Sequence, residues 1–126
     1  MAEVIKKKVL IVDDEEATLS YLCHILEREN YKVFSTTKGK EVFDLAANNR
    51  PDIIVLDIIL PDIDGGEVAS LLSKNAATSN IPIIFLTGIL TKSEEGFAGK
   101  TGKRYVLAKP VTKEKLLEMI QKVLSE

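Results

Sequence analysis

The feature that most constrains this chain is a fivefold alternation of short apolar runs with segments of helical spacing. Val9 to Val12, Ile53 to Leu56, Ile83 to Leu86 and Tyr105 to Ala108 are four such runs, closed by Asp, Thr or Lys-Pro, and Tyr31 to Ser35 is a weaker fifth. Each is short and in part β-branched or aromatic, which predicts strands. Three of them are continuously apolar, as expected of parallel strands covered by helices on both faces. Between the strands, apolar residues fall at helical intervals: Leu19, Leu22, Ile25 and Leu26; Val42, Leu45 and Ala46; Val68, Leu71 and Leu72. After the last strand Thr112 is a predicted N-cap, and Leu116, Leu117, Ile120, Val123 and Leu124 form one stripe. The expected fold is therefore α/β, a doubly wound five-stranded parallel sheet with five helices. A sheet of this kind places its site at the carboxyl ends of the strands.

With 126 residues, 45% of them hydrophobic, the chain is expected to form one domain spanning 1–126, with roughly the first seven residues disordered or leading into the first strand. No repeat, low-complexity tract or long linker suggests a second domain. The single cysteine, Cys23, leaves no intrachain disulfide and no cysteine metal cluster. The N-terminal apolar run is too short for a secretory signal or a membrane span, so a cytoplasmic protein is expected. Net charge is only −2, so nothing global argues for nucleic acid, and no direct nucleic-acid binding is expected.

The strand ends gather the polar residues. The first strand runs into Asp13-Asp14-Glu15-Glu16, the third into Asp57, the fourth into Thr87 and the fifth into Lys109-Pro110. Asp13 and Asp14 alone would be read as acids favoured by the positive end of the next helix. A third carboxylate at the same edge changes that balance, because acids some 5 Å apart repel by roughly 3 kcal/mol per pair at an effective dielectric near 20. A divalent cation would remove this cost, and an all-oxygen ligand set suits Mg2+. Asp57 follows four apolar residues, where an idle carboxylate is expensive. A salt bridge to Lys109 would account for Asp57 but not for the other acids or Thr87. Phosphoryl transfer to a carboxylate accounts for all of them.

VLIVDDEE at 9–16, PDIIVLDIILPDIDG at 51–65, PIIFLTG at 82–88 and LAKP at 107–110 together resemble the receiver domain of two-component response regulators, the CheY-like superfamily. The resemblance covers essentially the whole chain. It implies a flavodoxin-like strand order 2-1-3-4-5, with Asp57 as phosphoacceptor for a histidine kinase or histidine phosphotransfer protein. It implies Mg2+, with Mn2+ as a substitute, held by Asp13, Asp14, Asp57 and the backbone carbonyl of Ile59. Lys109 would pair with the acceptor and then the phosphoryl group, Thr87 would bind a phosphoryl oxygen, and Pro110 would follow Lys109 through a cis bond. The output surface would be the fourth helix, fifth strand and fifth helix, acting on a downstream protein or effector domain as a monomer or a phosphorylation-dependent homodimer. The domain would catalyse its own phosphorylation and, slowly, its own dephosphorylation.

Two stretches depart from the family pattern. An aromatic residue usually stands three places before the lysine, where this chain has Val106; Tyr105, one place earlier, is expected on the opposite face unless a bulge re-aims it. The fourth helix would contain Gly96, Gly99 and Gly102, each costing about 1 kcal/mol relative to alanine, with Phe97 as its one large anchor. A short or mobile helix with Phe97 sometimes exposed is one expectation, and an ordinary helix held by tertiary contacts is the other. The basic residues Lys92, Lys100, Lys103, Arg104, Lys113, Lys115 and Lys122 read first as solvated surface and second as a surface for an acidic partner. Cys23 is expected to border the core, and His24 to be a surface or half-buried structural residue.

Three other functions compete. A flavodoxin-like cofactor binder would want Gly, Ser and Thr at the first loop, where Asp13-Asp14-Glu15-Glu16 would repel phosphate. A phosphorylation-independent binding domain would be expected to lack an acid or the lysine. A hydrolase-type phosphatase would be expected to place its general acid at the position of Ile59. Ile59 and Ile89 instead are expected to flank the site and hinder water, giving a long-lived phosphoryl group.

Overall fold

A computed structural model describes residues 5–88 and 104–126. In chain order the elements are β1 (Lys8–Val12), α1 (Glu16–Arg28), β2 (Lys32–Thr36), a 3-10 turn (Gly39–Glu41), α2 (Val42–Asn49), β3 (Ile53–Asp57), α3 (Gly65–Ser73), β4 (Ile83–Thr87), β5 (Arg104–Ala108) and α4 (Lys113–Leu124). The helix expected between β4 and β5 falls outside the described residues, as do Ile89, Phe97, Lys92, Lys100 and Lys103. What the sequence predicts as the fifth helix is therefore α4 here. Residues 5–7 lead directly into β1, and the Lys7 carbonyl already accepts the Lys32 amide.

The strands form one sheet in the order β2-β1-β3-β4-β5, every pair parallel. Alternation along each strand divides the core between two faces. Val9, Ile11, Ile53, Val55, Ile84, Leu86 and Leu107 meet Leu19, Leu22 and Leu26 of α1 and Leu116, Ile120 and Val123 of α4. Leu10, Val12, Ile54, Leu56 and Ile83 meet Val42 and Ala46 of α2 and Val68, Ala69 and Leu72 of α3. Burying a side chain of this size contributes about 1.5–3 kcal/mol, so the buried residues Val9–Val12 of β1 and all of β3 anchor the site-bearing ends of the sheet.

Thr112 caps α4 by accepting the Lys115 amide at 3.2 Å, as expected of it. In α3 the buried set is Gly65, Val68, Ala69 and Leu72, spaced i, i+3, i+4, i+7. The stripe is thus centred one position away from the sequence reading: Leu71 lies on the flank, 49% exposed, and Ala69 takes the inward place. Cys23 packs half-buried against the α1 face of the core, and His24 is exposed.

Candidate functional site

The carboxyl edge of the sheet is built from chain segments that leave the strands at matched heights. Asp13 follows β1 and is fully buried. Its amide donates to the Thr36 carbonyl at 3.3 Å, and its Oδ1 accepts the Glu15 amide at 2.9 Å. Neither Asp13 nor Asp14 is the α1 N-cap; Glu15 occupies that place without a side-chain capping bond. Asp14, next in the chain, is exposed.

Asp57 is the last residue of β3 and is 6% exposed, with Oδ1 accepting the Ile59 amide at 3.1 Å. Thr87 ends β4 and is equally buried. Lys109 follows β5, its amide donating to the Thr87 carbonyl at 2.8 Å, and the next peptide bond, Lys109-Pro110, is cis. The Lys109 ammonium then reaches both buried acids, 2.9 Å from Asp57 Oδ2 and 3.0 Å from Asp13 Oδ2. The simple Lys109–Asp57 ion pair is therefore present, but it is half of a bridge.

Desolvation is the largest single influence on the Lys109 amine and pushes its pKa down; the hydrogen bonds and charges of Asp57 and Asp13 together outweigh it, so the net shift is upward. One cation still leaves three acids under-compensated. Carboxylate oxygens of Asp13, Asp14 and Asp57 all lie within 4.8 Å of one another. Two buried acids with the exposed Asp14 beside them form a hard, all-oxygen donor set that fits Mg2+ or Mn2+ rather than a softer metal.

Tyr105 sits away from this constellation. Parallel pairing sets Thr87 beside Ala108 and Phe85 beside Val106, while Tyr105 pairs with Ile84 and joins the core on the α1 and α4 side. β5 continues through this register from Arg104 to Ala108, so Tyr105 stays on the face expected for an offset of one residue. Its hydroxyl donates to Glu126, and that bond, followed by desolvation, pushes its pKa up to about 12. Arg104 donates to the Ala69 carbonyl at 3.2 Å, which makes it a tie between β5 and α3 rather than simply a solvated charge.

Two supporting residues escaped the sequence reading. Gly65 presses on the end of β3: a Cβ there would lie 2.7 Å from the Ile58 Cα and 2.8 Å from the Asp57 carbonyl oxygen. The Asp64-Gly65-Gly66 run was the available signal, with Asp64 capping α3 through the Gly66 amide. Asp62 accepts the Gly39 and Lys40 amides at 3.0 Å each, and the Lys40 bond is the main reason its pKa falls below the usual carboxylate range, against an opposing desolvation effect. No spacing rule pairs residues 22 and 23 apart across a loop, so this contact had no sequence signature.

No helix among the described residues is long and apolar enough to cross a membrane. Comparison with known proteins places the site in context. The family model described as the response regulator receiver domain matches residues 9–121. The chain is 33% identical over 118 residues to protein PilH of Pseudomonas aeruginosa, covering 94% of this chain and 98% of PilH. It is 32% identical over 120 residues to the polar-differentiation response regulator DivK of Brucella anthropi, covering 95% and 98%. Among solved structures, the chemotaxis response regulator CheY4 of Vibrio cholerae superposes with a TM-score of 0.84 at 28% identity, covering 94% of this chain and 99% of that one. With four strand-end motifs, the 2-1-3-4-5 sheet and an acidic pocket bridged by a lysine all in one frame, the chain belongs to the family of response regulator receiver domains, which serve phosphorelay signalling.

Proposed function

We propose that Asp57 accepts a phosphoryl group from a phosphohistidine on a histidine kinase or phosphotransfer protein. The carrying observation is the double bridge from Lys109 to Asp57 and Asp13 beside a cluster of three carboxylates. Asp57 directs one oxygen toward the Ile59 amide and the other toward Lys109, which fixes the plane of its carboxylate. As the new O–P bond forms on Asp57, the P–N bond to the donor imidazole breaks and the imidazole leaves with its electron pair. Lys109 is already placed to follow the charge from the carboxylate to the phosphoryl oxygens. Asp13, Asp14, Asp57 and the Ile59 carbonyl would hold Mg2+, which supplies charge neutralisation at the phosphoryl oxygens when bound. Thr87, tied through its backbone to Lys109, would donate its hydroxyl to a phosphoryl oxygen.

The phosphorylated state would then act on a downstream protein through the face that includes β5 and α4. Thr87 and Lys109 connect that face to the site, because both lie at the β4 and β5 ends. Incubation with Mg2+ and a small acyl-phosphate donor, followed by intact mass measurement, tests the chemistry. Wild-type protein gains one phosphoryl group, and Asp57→Asn or chelation of the metal prevents the gain. A gain that persists in Asp57→Asn refutes the assignment.

A further inference from the structure

We infer that Asp62 is a positioning residue for the acid site, bracing the loop after Asp57 against the 3-10 turn that precedes α2; the inference rests on the metal reading given above. The loop from Ile58 to Asp64 carries Ile59, and its Ile58 amide donates to the Leu86 carbonyl at 3.0 Å. Its beginning is held by the Ile59 amide on Asp57 Oδ1, and its base by the Gly65 amide on the Ile58 carbonyl at 2.8 Å. On its far side the two carboxylate oxygens of Asp62 each accept one amide, from Gly39 and from Lys40. A two-oxygen contact to consecutive amides fixes orientation as well as distance.

The corner that Asp62 grips also holds the other arm of the site. Thr36 accepts the Asp13 amide through its carbonyl, and its hydroxyl accepts the Lys38 amide and donates to Glu41. Residues 36–41 thus connect the backbone at Asp13 to the loop that follows Asp57, independently of Lys109. The fit is close as well as bonded: a Cβ on Gly39 would lie 2.4 Å from Ile63 Cγ2 and 3.0 Å from Leu60 Cδ1. Without Asp62 the loop loses its side-chain hydrogen bonds to that corner, and the Leu60 and Ile63 packing on Gly39 is what remains. The Ile59 backbone can then shift relative to Asp13, although Asp62 itself touches none of the acids.

Calorimetric titration of the unphosphorylated full chain with Mg2+ tests this, alongside amide exchange of Ile59 in metal-free protein. Asp62→Ala is expected to raise the Mg2+ dissociation constant about tenfold, the scale seen when a residue supporting a metal ligand is removed. It should also speed exchange of the Ile59 amide while the far-UV spectrum stays native, because Asp62 is exposed. Asp62→Asn keeps an oxygen for one of the two amides and is expected to recover part of the affinity. Wild-type affinity and exchange in Asp62→Ala would overturn the brace and leave the acid site standing. Failure of the wild-type chain to bind Mg2+ would overturn both.

Discussion

The Lys109 ammonium stands 2.9 Å from the Asp57 carboxylate, and the same ammonium serves Asp13 at 3.0 Å. A single cation shared by two buried acids makes each half of the bridge depend on the other. Replacing Lys109 by Met leaves both carboxylates without their cation, and removing one partner of a buried pair is costly. Because Lys109 is 28% exposed, the loss should fall below the fully buried range, at about 2 kcal/mol. Denaturant unfolding in metal-free buffer measures it, and Mg2+ is expected to restore part of the loss.

Asp14 has the opposite balance. It adds a third negative charge within 4.8 Å of Asp13 and Asp57 but makes no bond to Lys109. Asp14→Asn is therefore expected to raise the thermal midpoint in chelator, by relieving repulsion, and to shrink the gain that Mg2+ confers. A midpoint that falls in chelator and still rises normally with Mg2+ would remove Asp14 from the site.

Tyr105 and Lys109 are among the groups whose folded pKa values are raised, and both bear on alkaline stability. A raised pKa contributes stability that is complete below the unfolded value and is lost as pH climbs through the folded one. For Tyr105 the window runs from 10.0 to about 12, and for Lys109 it opens at 10.5. Tyr105→Phe should flatten the alkaline limb of a midpoint-against-pH curve between those values, while leaving phosphorylation intact. In ultraviolet titration Tyr105 should ionise at about 12.

Gly65 sits where a side chain would meet backbone rather than yielding side-chain ends. Gly65→Ala must push Ile58 and the Asp57 carbonyl away, at a cost of about 1–3 kcal/mol. The same displacement should slow phosphorylation by the small donor more than it lowers the melting temperature would suggest. Equal stability and equal rate would show that α3 shifts instead.

The alternation of runs was enough to predict the sheet because strand burial here is decided by local composition: Ile53 to Leu56 has no polar face to expose. The gathering of these residues at one edge was legible for a similar reason, since Asp13, Asp57, Thr87 and Lys109 each follow such a run and inherit its direction. What sequence could not supply was the bracing. Thr36 falls just past the expected end of the weak strand at Ser35, and the sequence assigns no role to Asp62 or Gly65; the roles of all three depend on which loops meet. Leu71 shows the same limit inside an element, where an apolar residue near the stripe turned out to lie on its flank.

Ile59 separates backbone from side chain. Its amide binds Asp57 and its carbonyl is the proposed metal ligand, yet its side chain is 61% exposed at the mouth of the site. An apolar group there should obstruct an attacking water without affecting metal binding. Ile59→Asn is accordingly expected to leave Mg2+ affinity at the wild-type level and to shorten the phosphoryl half-life several-fold, followed by intact mass after the donor is removed. An unchanged half-life would free Ile59 of this role, and rapid loss from the wild-type protein would refute a long-lived phosphoryl state altogether.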